Sequence, residues 1–305
     1  MRWKGRRQSS NVEDRRGMGG FGGMFGGGVR GGRRVRSRRK GGIGSLIFVA
    51  IIMLFFGKNL GLNFSDLLGG DLGGGAHSPS SGTYQQRAST QSAAQQEEIV
   101  SFVKVVLAET EDTWAQIFAK SGQRYRPPSL VLFDNSTPTA CGTGQAASGP
   151  FYCPGDQKIY IDLDFMGELQ RMGAQGDFAF AYVIAHEVAH HIQTVMGISE
   201  KVQRQKRQSS KIQGNALQVK MELQADCLAG LWANHTERRN AILEPGDIEE
   251  GINAAAAVGD DRISGGRLSR KHYTHGSSKE RVGWFMQGFK TGDISRCDTF
   301  SQSGF

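Results

Sequence analysis

Up to residue 95 the apolar positions of the chain fall in one block; beyond it they recur at helix or strand spacing. The block is "IGSLIFVAIIMLFFGKNLGL", residues 43–62, strongly apolar from Leu46 to Phe56. Its length is about that of a bilayer-spanning helix, with Lys58 and Asn59 at the interface. Residues 17–32, "GMGGFGGMFGGGVRGG", are low-complexity glycine, and residues 65–95 are rich in Gly, Ser and Gln. Neither composition buries enough apolar surface to fold. The pattern predicts a basic, disordered tail over residues 1–42, a single transmembrane helix over 43–62, a flexible linker over 63–95 and one folded domain over 96–305.

Within the domain, "EEIVSFVKVVLAETEDTWAQIFAKSG" (97–122) carries apolar residues at helical spacing and ends on Gly122. "PSLVLFD" (128–134) and "KIYIDLDF" (158–165) read as strands. The second alternates Ile159, Ile161, Leu163 and Phe165 with Tyr160, Asp162 and Asp164. Residues 176–197 form a long apolar helix, and residues 215–235, 245–261 and 277–292 follow as further helices. Few strands followed by many helices predict an α+β fold, mostly helical with a small sheet.

Charge sharpens the division. Residues 1–40 hold 13 of the 37 Lys and Arg but only two acids, Glu13 and Asp14. That local excess of 11 exceeds the whole-chain charge of +8, so the remaining 265 residues carry −3. The basicity does not form a face on the domain, and no nucleic-acid partner is expected. Ahead of an apolar span it places residues 1–42 in the cytoplasm and the domain outside it. Cysteine usage agrees with an oxidising compartment: Cys141, Cys153, Cys227 and Cys297 all follow the span and contain no C-x-x-C. Four cysteines allow three connectivities. The closeness of Cys141 to Cys153 favours pairing them, which leaves Cys227 with Cys297.

The candidate chemistry sits in "YVIAHEVAHHIQTVMG", residues 182–197. His186 and His190, four residues apart on a helix, leave one face about a turn apart and reach one tetrahedral ion. Glu187 lies about 100° around the helix, near that ion but not bound to it. On so apolar a helix these polar groups are costly to bury without a partner, whereas His191 points off the face. A catalytic zinc site needs a third ligand, and the candidates are Glu200, Glu222, Asp226, His235, His272 and His275. Gln193 and Met196 stand where the three-histidine metzincin pattern needs Gly and His, so that variant is excluded. "ELQAD" places Glu222 and Asp226 on one helical face, where Glu222 can ligate and Asp226 can accept the second N–H of a ligating histidine.

"IAHEVAHHIQ", "ELQADCLAG" and "YTHGSSKERVGWFMQGF", with "ACG…GPFYCPGDQKIYIDLDF" before them, resemble the bacterial membrane-anchored neutral zinc metallopeptidases of the YpfJ-like type and, more widely, the gluzincins. The resemblance covers nearly the whole chain, anchor included. It implies a zincin-like metalloprotease domain holding one Zn2+ per chain through His186, His190 and Glu222, with Glu187 as general base and Asp226 behind a ligating histidine. It also implies a peptide or protein substrate and a single-pass protein of the bacterial inner membrane with a periplasmic domain. The developing oxyanion needs a donor besides the metal; His275 is the first choice and Tyr273 the second. "KIYIDLDF" is the expected edge strand that aligns the peptide. The expected activity is a zinc-dependent endopeptidase; the alternative is a zinc-binding structural or assembly protein on the same fold. No pattern in the chain sets an oligomeric state.

Overall fold

Helix α1 (Ala93–Lys120) lays Val100, Val103, Val106, Leu107, Trp114 and Phe118 into the core at the spacing an amphipathic helix requires, and Gly122, at φ 68°, follows its end. The computed structural model describes residues 1–17 and 93–301. Its main sheet is built from β1 (Val12–Asp14), β2 (Ser129–Leu132), β5 (Phe151–Cys153) and β6 (Lys158–Ile161), in the order β1–β2–β6–β5. The first two pairings are parallel and β5 runs antiparallel to β6. A two-stranded hairpin, β3 (Ser136–Thr139) and β4 (Gly142–Gln145), stands beside it.

Ile159, Tyr160 and Ile161 of β6 are all buried. Ile159 and Ile161 enter the main core, while the Tyr160 ring stacks on Phe151 with centroids 5.0 Å apart. The strand is shorter than its alternation predicts. Asp162 accepts hydrogen bonds from the backbone N–H groups of Asn135 (3.1 Å) and Asp164 (3.0 Å), the chain turns, and Phe165 opens helix α2 (Phe165–Arg171).

Helix α3 (Asp177–Val195) is buried on nearly every side by α1, by α5 (Lys211–Asn240), by α6 (Asp247–Ala257) and by β5, which is why its sequence is apolar all round. Helix α4 (Ile198–Arg207) links α3 to α5; the short α7 (Asp260–Ile263) and α8 (Ser278–Thr291) complete the set. Ser210 with Gln213, and Ser277 with Glu280, form capping boxes that start α5 and α8. Helices α5 and α8 approach backbone to backbone. A Cβ on Gly230 would lie 2.0 Å from the Phe285 carbonyl oxygen, and one on Gly288 would lie 1.8 Å from that of Cys227. Cys227 is bonded to Cys297 and Cys141 to Cys153.

The N-terminal residues depart from expectation. Residues 1–17 do not form a free tail but belong to the same folded unit as residues 93–301. Val12, Glu13 and Asp14 pair in parallel with Leu130, Val131 and Leu132. The Met1 amine sits among Asp177 (2.8 Å), Glu244 (3.2 Å) and Asp247 (3.3 Å). Trp3 meets Phe102 edge-on at 5.4 Å. Positive charge that sequence alone assigns to topology is spent on the acidic surface of α1: Arg6 pairs with Glu109 (3.3 Å), and Arg7 with Glu111 (3.1 Å) and Asp112 (2.7 Å). The expected fold, a domain preceded by a single transmembrane helix, is therefore corrected. One crossing between residues 17 and 93 would separate two hydrogen-bonded strands of one sheet. Among the described residues no helix is long and apolar enough to cross a membrane. The stretch 43–62 and most of the expected linker lie outside the described residues.

Candidate metal centre

The centre forms where α3 crosses α5. His186 and His190, one helical turn apart, present rings with centroids 4.8 Å apart, and Glu222 of α5 reaches between them. Glu222 Oε2 lies 3.2 Å from His186 Nε2 and 3.6 Å from His190 Nε2. Each of the three residues offers one ligand atom, and those atoms lie within 4.8 Å of one another. Ligand atoms at tetrahedral zinc, each about 2.0–2.1 Å from the metal, stand about 3.3 Å apart. Two imidazole nitrogens and one carboxylate oxygen at these separations fit such an ion.

The ligands are oriented from behind. His186 Nδ1 donates to Asp226 Oδ1 at 2.9 Å, which turns Nε2 toward Glu222 Oε2 and makes it the nitrogen whose proton an arriving metal ion would displace. Asp226 is fully buried and accepts three further hydrogen bonds. One comes from the Tyr182 hydroxyl, and two come from Arg281, Nε to Oδ2 at 2.8 Å and Nη2 to Oδ1 at 2.9 Å. Burial opposes its charge, but Arg281 and His186 hold the carboxyl below the usual range. Glu222 behaves likewise: burial opposes ionisation, yet His190 and His186 hold it well below the ordinary value. In return, and against desolvation, Asp226 and Glu222 raise the His186 imidazole to about 9. The Gln218 amide donates to Glu222 Oε1 at 2.8 Å.

Glu187 is buried next to the two histidines, on the same helix, and no ligand atom of the cluster is its own. Burial raises its carboxyl above the ordinary value, against the pull of His190 and His186. A carboxylate so placed is a stronger base than one in water.

His275 lies half-buried on the loop before α8. Asp260 Oδ2 accepts the backbone N–H groups of Thr274 (2.7 Å), His275 (2.6 Å) and Gly276 (3.0 Å), and His275 Nδ1 lies 3.3 Å from Asp260 Oδ1. Gly276, at φ 88°, lies on α5 with Leu223 and Val219 beneath it, beside Glu222. Tyr273 stands half-buried on the same loop, with its backbone N–H bonded to Arg270. The other candidate ligands are elsewhere. Glu200 pairs with Arg204 at the surface, His235 bonds the Gly292 carbonyl at 2.8 Å, and His272 is exposed. His191 bonds Arg126 O (2.8 Å) and the Tyr152 hydroxyl (3.2 Å), pinning α3 to the sheet. "KIYI" is not an edge: β6 is paired on both sides, and the edge strand next to it is β5.

Sequence reasoning missed Tyr182, Gln193, Gln218 and Gln224 as parts of the centre, and Arg281 behind Asp226. Tyr182 and Gln193 carried a signal, standing four residues before His186 and three after His190 on an otherwise apolar helix. Arg281 carried none, because its partner is 55 residues away.

The family model described as "Putative neutral zinc metallopeptidase" matches residues 1–300. The chain belongs to this family. It is 43% identical to the "Uncharacterized protein YpfJ" of Escherichia coli K12, over 99% of this chain and 100% of that one. It is 42% identical to the "Uncharacterized protein Rv2575" of Mycobacterium tuberculosis H37Rv, over 58% of this chain and 64% of that protein. No solved structure matches. Members of the zinc metallopeptidase family would act on peptide bonds. Among the described residues two groups come close enough to hold an ion: Asp177, Asp247 and Glu250, where the Met1 amine already pairs with Asp177 and Asp247, and the histidine and glutamate cluster between α3 and α5, whose mixed donors suit zinc.

Proposed function

We propose that the protein is a zinc-dependent endopeptidase whose metal is held by His186 Nε2, His190 Nε2 and Glu222. The observation that carries this reading is the convergence of those three donors, from two helices, at separations that suit one tetrahedral ion. Zinc there would supply Lewis acidity to the attack of water on a peptide carbonyl. Glu187 takes the proton from the attacking water and delivers it to the leaving amine, a role suited to a buried carboxylate with a raised pKa. Asp226 keeps His186 in the tautomer that ligates, and Arg281 and Tyr182 keep Asp226 in place. His275, held by Asp260 on the loop next to Gly276, is the donor we assign to the developing oxyanion. The rim strand β5 offers backbone groups to an extended peptide. The two disulfides support placing the folded unit in an oxidising compartment.

The test uses the full chain, since residues 1–17 are part of the fold. The unaltered protein is expected to hold about one zinc per chain. Glu222→Ala should lose it. Glu187→Gln should keep the metal while hydrolysis of a peptide library falls roughly 10²–10⁴-fold. Full zinc retention by Glu222→Ala would overturn the ligand set. Equal hydrolysis by Glu187→Gln and the unaltered chain would remove the base and favour the structural alternative.

A further inference from the structure

His190 has no carboxylate behind it. Its Nδ1 lies 2.8 Å from Gln193 Oε1, one turn along α3. An amide is an ambiguous partner, because its two ends can exchange, and only the surrounding network decides which faces the ring. Here the network decides. Gln193 Nε2 donates to the Met221 carbonyl at 2.8 Å and to Gln224 Oε1 at 3.1 Å. Gln224 Nε2 donates in turn to the Cys297 carbonyl at 3.0 Å. Backbone carbonyls only accept, so each amide must turn its NH2 toward them. That leaves Gln193 Oε1, an acceptor, as the one group facing His190 Nδ1. Both glutamines are buried, and a reversed amide would set acceptor against acceptor.

We infer that Gln193 and Gln224 are positioning residues for the metal centre: a relay of fixed polarity, running from the Cys297 carbonyl through both amides, holds His190 with Nδ1–H toward Gln193, so that Nε2, turned toward Glu222, is the nitrogen left for the metal. The end of the relay is fastened covalently. Cys297 is bonded to Cys227, which stands one turn after Gln224 on α5, so the disulfide holds acceptor and donor in register. The two metal-ligating histidines are thus oriented by different chemistry, His186 by the Asp226–Arg281 pair and His190 by a neutral amide chain. This rests on the zinc-site reading above.

The relay makes a prediction that ordinary packing does not. Gln224 acts on His190 only through Gln193, so its contribution disappears once Gln193 is gone. Zinc affinity of the full chain, read by competition with a chromophoric chelator, is expected to fall about 10–100-fold in Gln193→Met. Gln224→Met should lose less, because the Met221 carbonyl still orients Gln193. The double variant should bind as Gln193→Met does. The visible spectrum of the Co2+-substituted protein should change in the same order. Melting temperatures of the metal-free variants identify any that fail to fold, and Gln224→Met, remote from the ligand, keeps the test open if Gln193→Met does. Losses that add in the double variant, or unaltered affinity in Gln193→Met, would overturn the relay. In the second case a His190→Ala variant separates the two readings: weakened zinc binding there condemns the relay alone, and unweakened binding condemns the ligand set beneath it.

Discussion

Asp260 shows how one side chain can organise a loop. Its carboxylate gathers three consecutive backbone N–H groups and the ring of His275, and Gly259 before it lies so close to Ser278 that a Cβ would come within 2.4 Å of that backbone nitrogen. Burial pushes the Asp260 carboxyl up, but His275 and the backbone donors hold it below the ordinary 3.8. A carboxylate depressed on folding stabilises the protein above its unfolded pKa, and that stability is lost as pH falls through the folded value. Asp260→Asn should therefore lower the melting temperature at neutral pH. The gap from the unaltered protein should close as the solution is acidified below 3.8 toward the depressed value. A gap that stayed constant across that range would show that the charge is immaterial. "GDD" is plain in the sequence, but what it grips is not, because the amides it holds are 14 to 16 residues away.

At the scale of elements, the long helices and the strands β2 and β6 were legible, while β1, β5 and the hairpin were not. Helices α1, α3, α5 and α8 declare themselves through period 3.6, through Gly122, and through the Ser277 and Glu280 capping pair. Strand β1 reads "VED" and the hairpin "STPT" and "GTGQ"; none alternates over enough residues to announce itself. The crossing of α5 and α8 rests on two glycines that look like helix breakers in sequence. Ala at Gly230 or Gly288 would press on a neighbouring carbonyl that belongs to backbone and cannot rotate away. Each substitution is expected to destabilise by roughly 1–3 kcal/mol or more, read as a lower urea midpoint. An unchanged midpoint would mean the two helices separate freely.

For the molecule as a whole, the N-terminal segment matters most. Residues 1–17 supply a rim strand, the Trp3 contact and the ion pairs to α1, so they complete the domain rather than precede it. Deleting them uncovers the β2 edge and removes Arg7, Ser9 and Asn11 from the half-buried Glu111, while Glu109 keeps Arg239. The expected result is a melting temperature lower by at least about 5 °C, with the proposed metal ligands untouched. An unaltered melting temperature would show the segment to be dispensable.

Spacing along the chain by itself determined the helices, the pair of histidines with Glu187 between them, and the acidic pair Glu222 and Asp226, because helical periodicity is local and converts residue number directly into a face. Tertiary structure alone decided the rest: that α5 brings Glu222 between the histidines, that Arg281 stands behind Asp226, that two glutamines set the polarity behind His190, and that β5 rather than β6 lies at an edge. It also decided the fate of the first seventeen residues. A basic, glycine-flanked segment carries no local sign of a strand; it becomes one because the β2 edge and the acids of α1 offer hydrogen bonds and counter-charges that only the assembled fold presents.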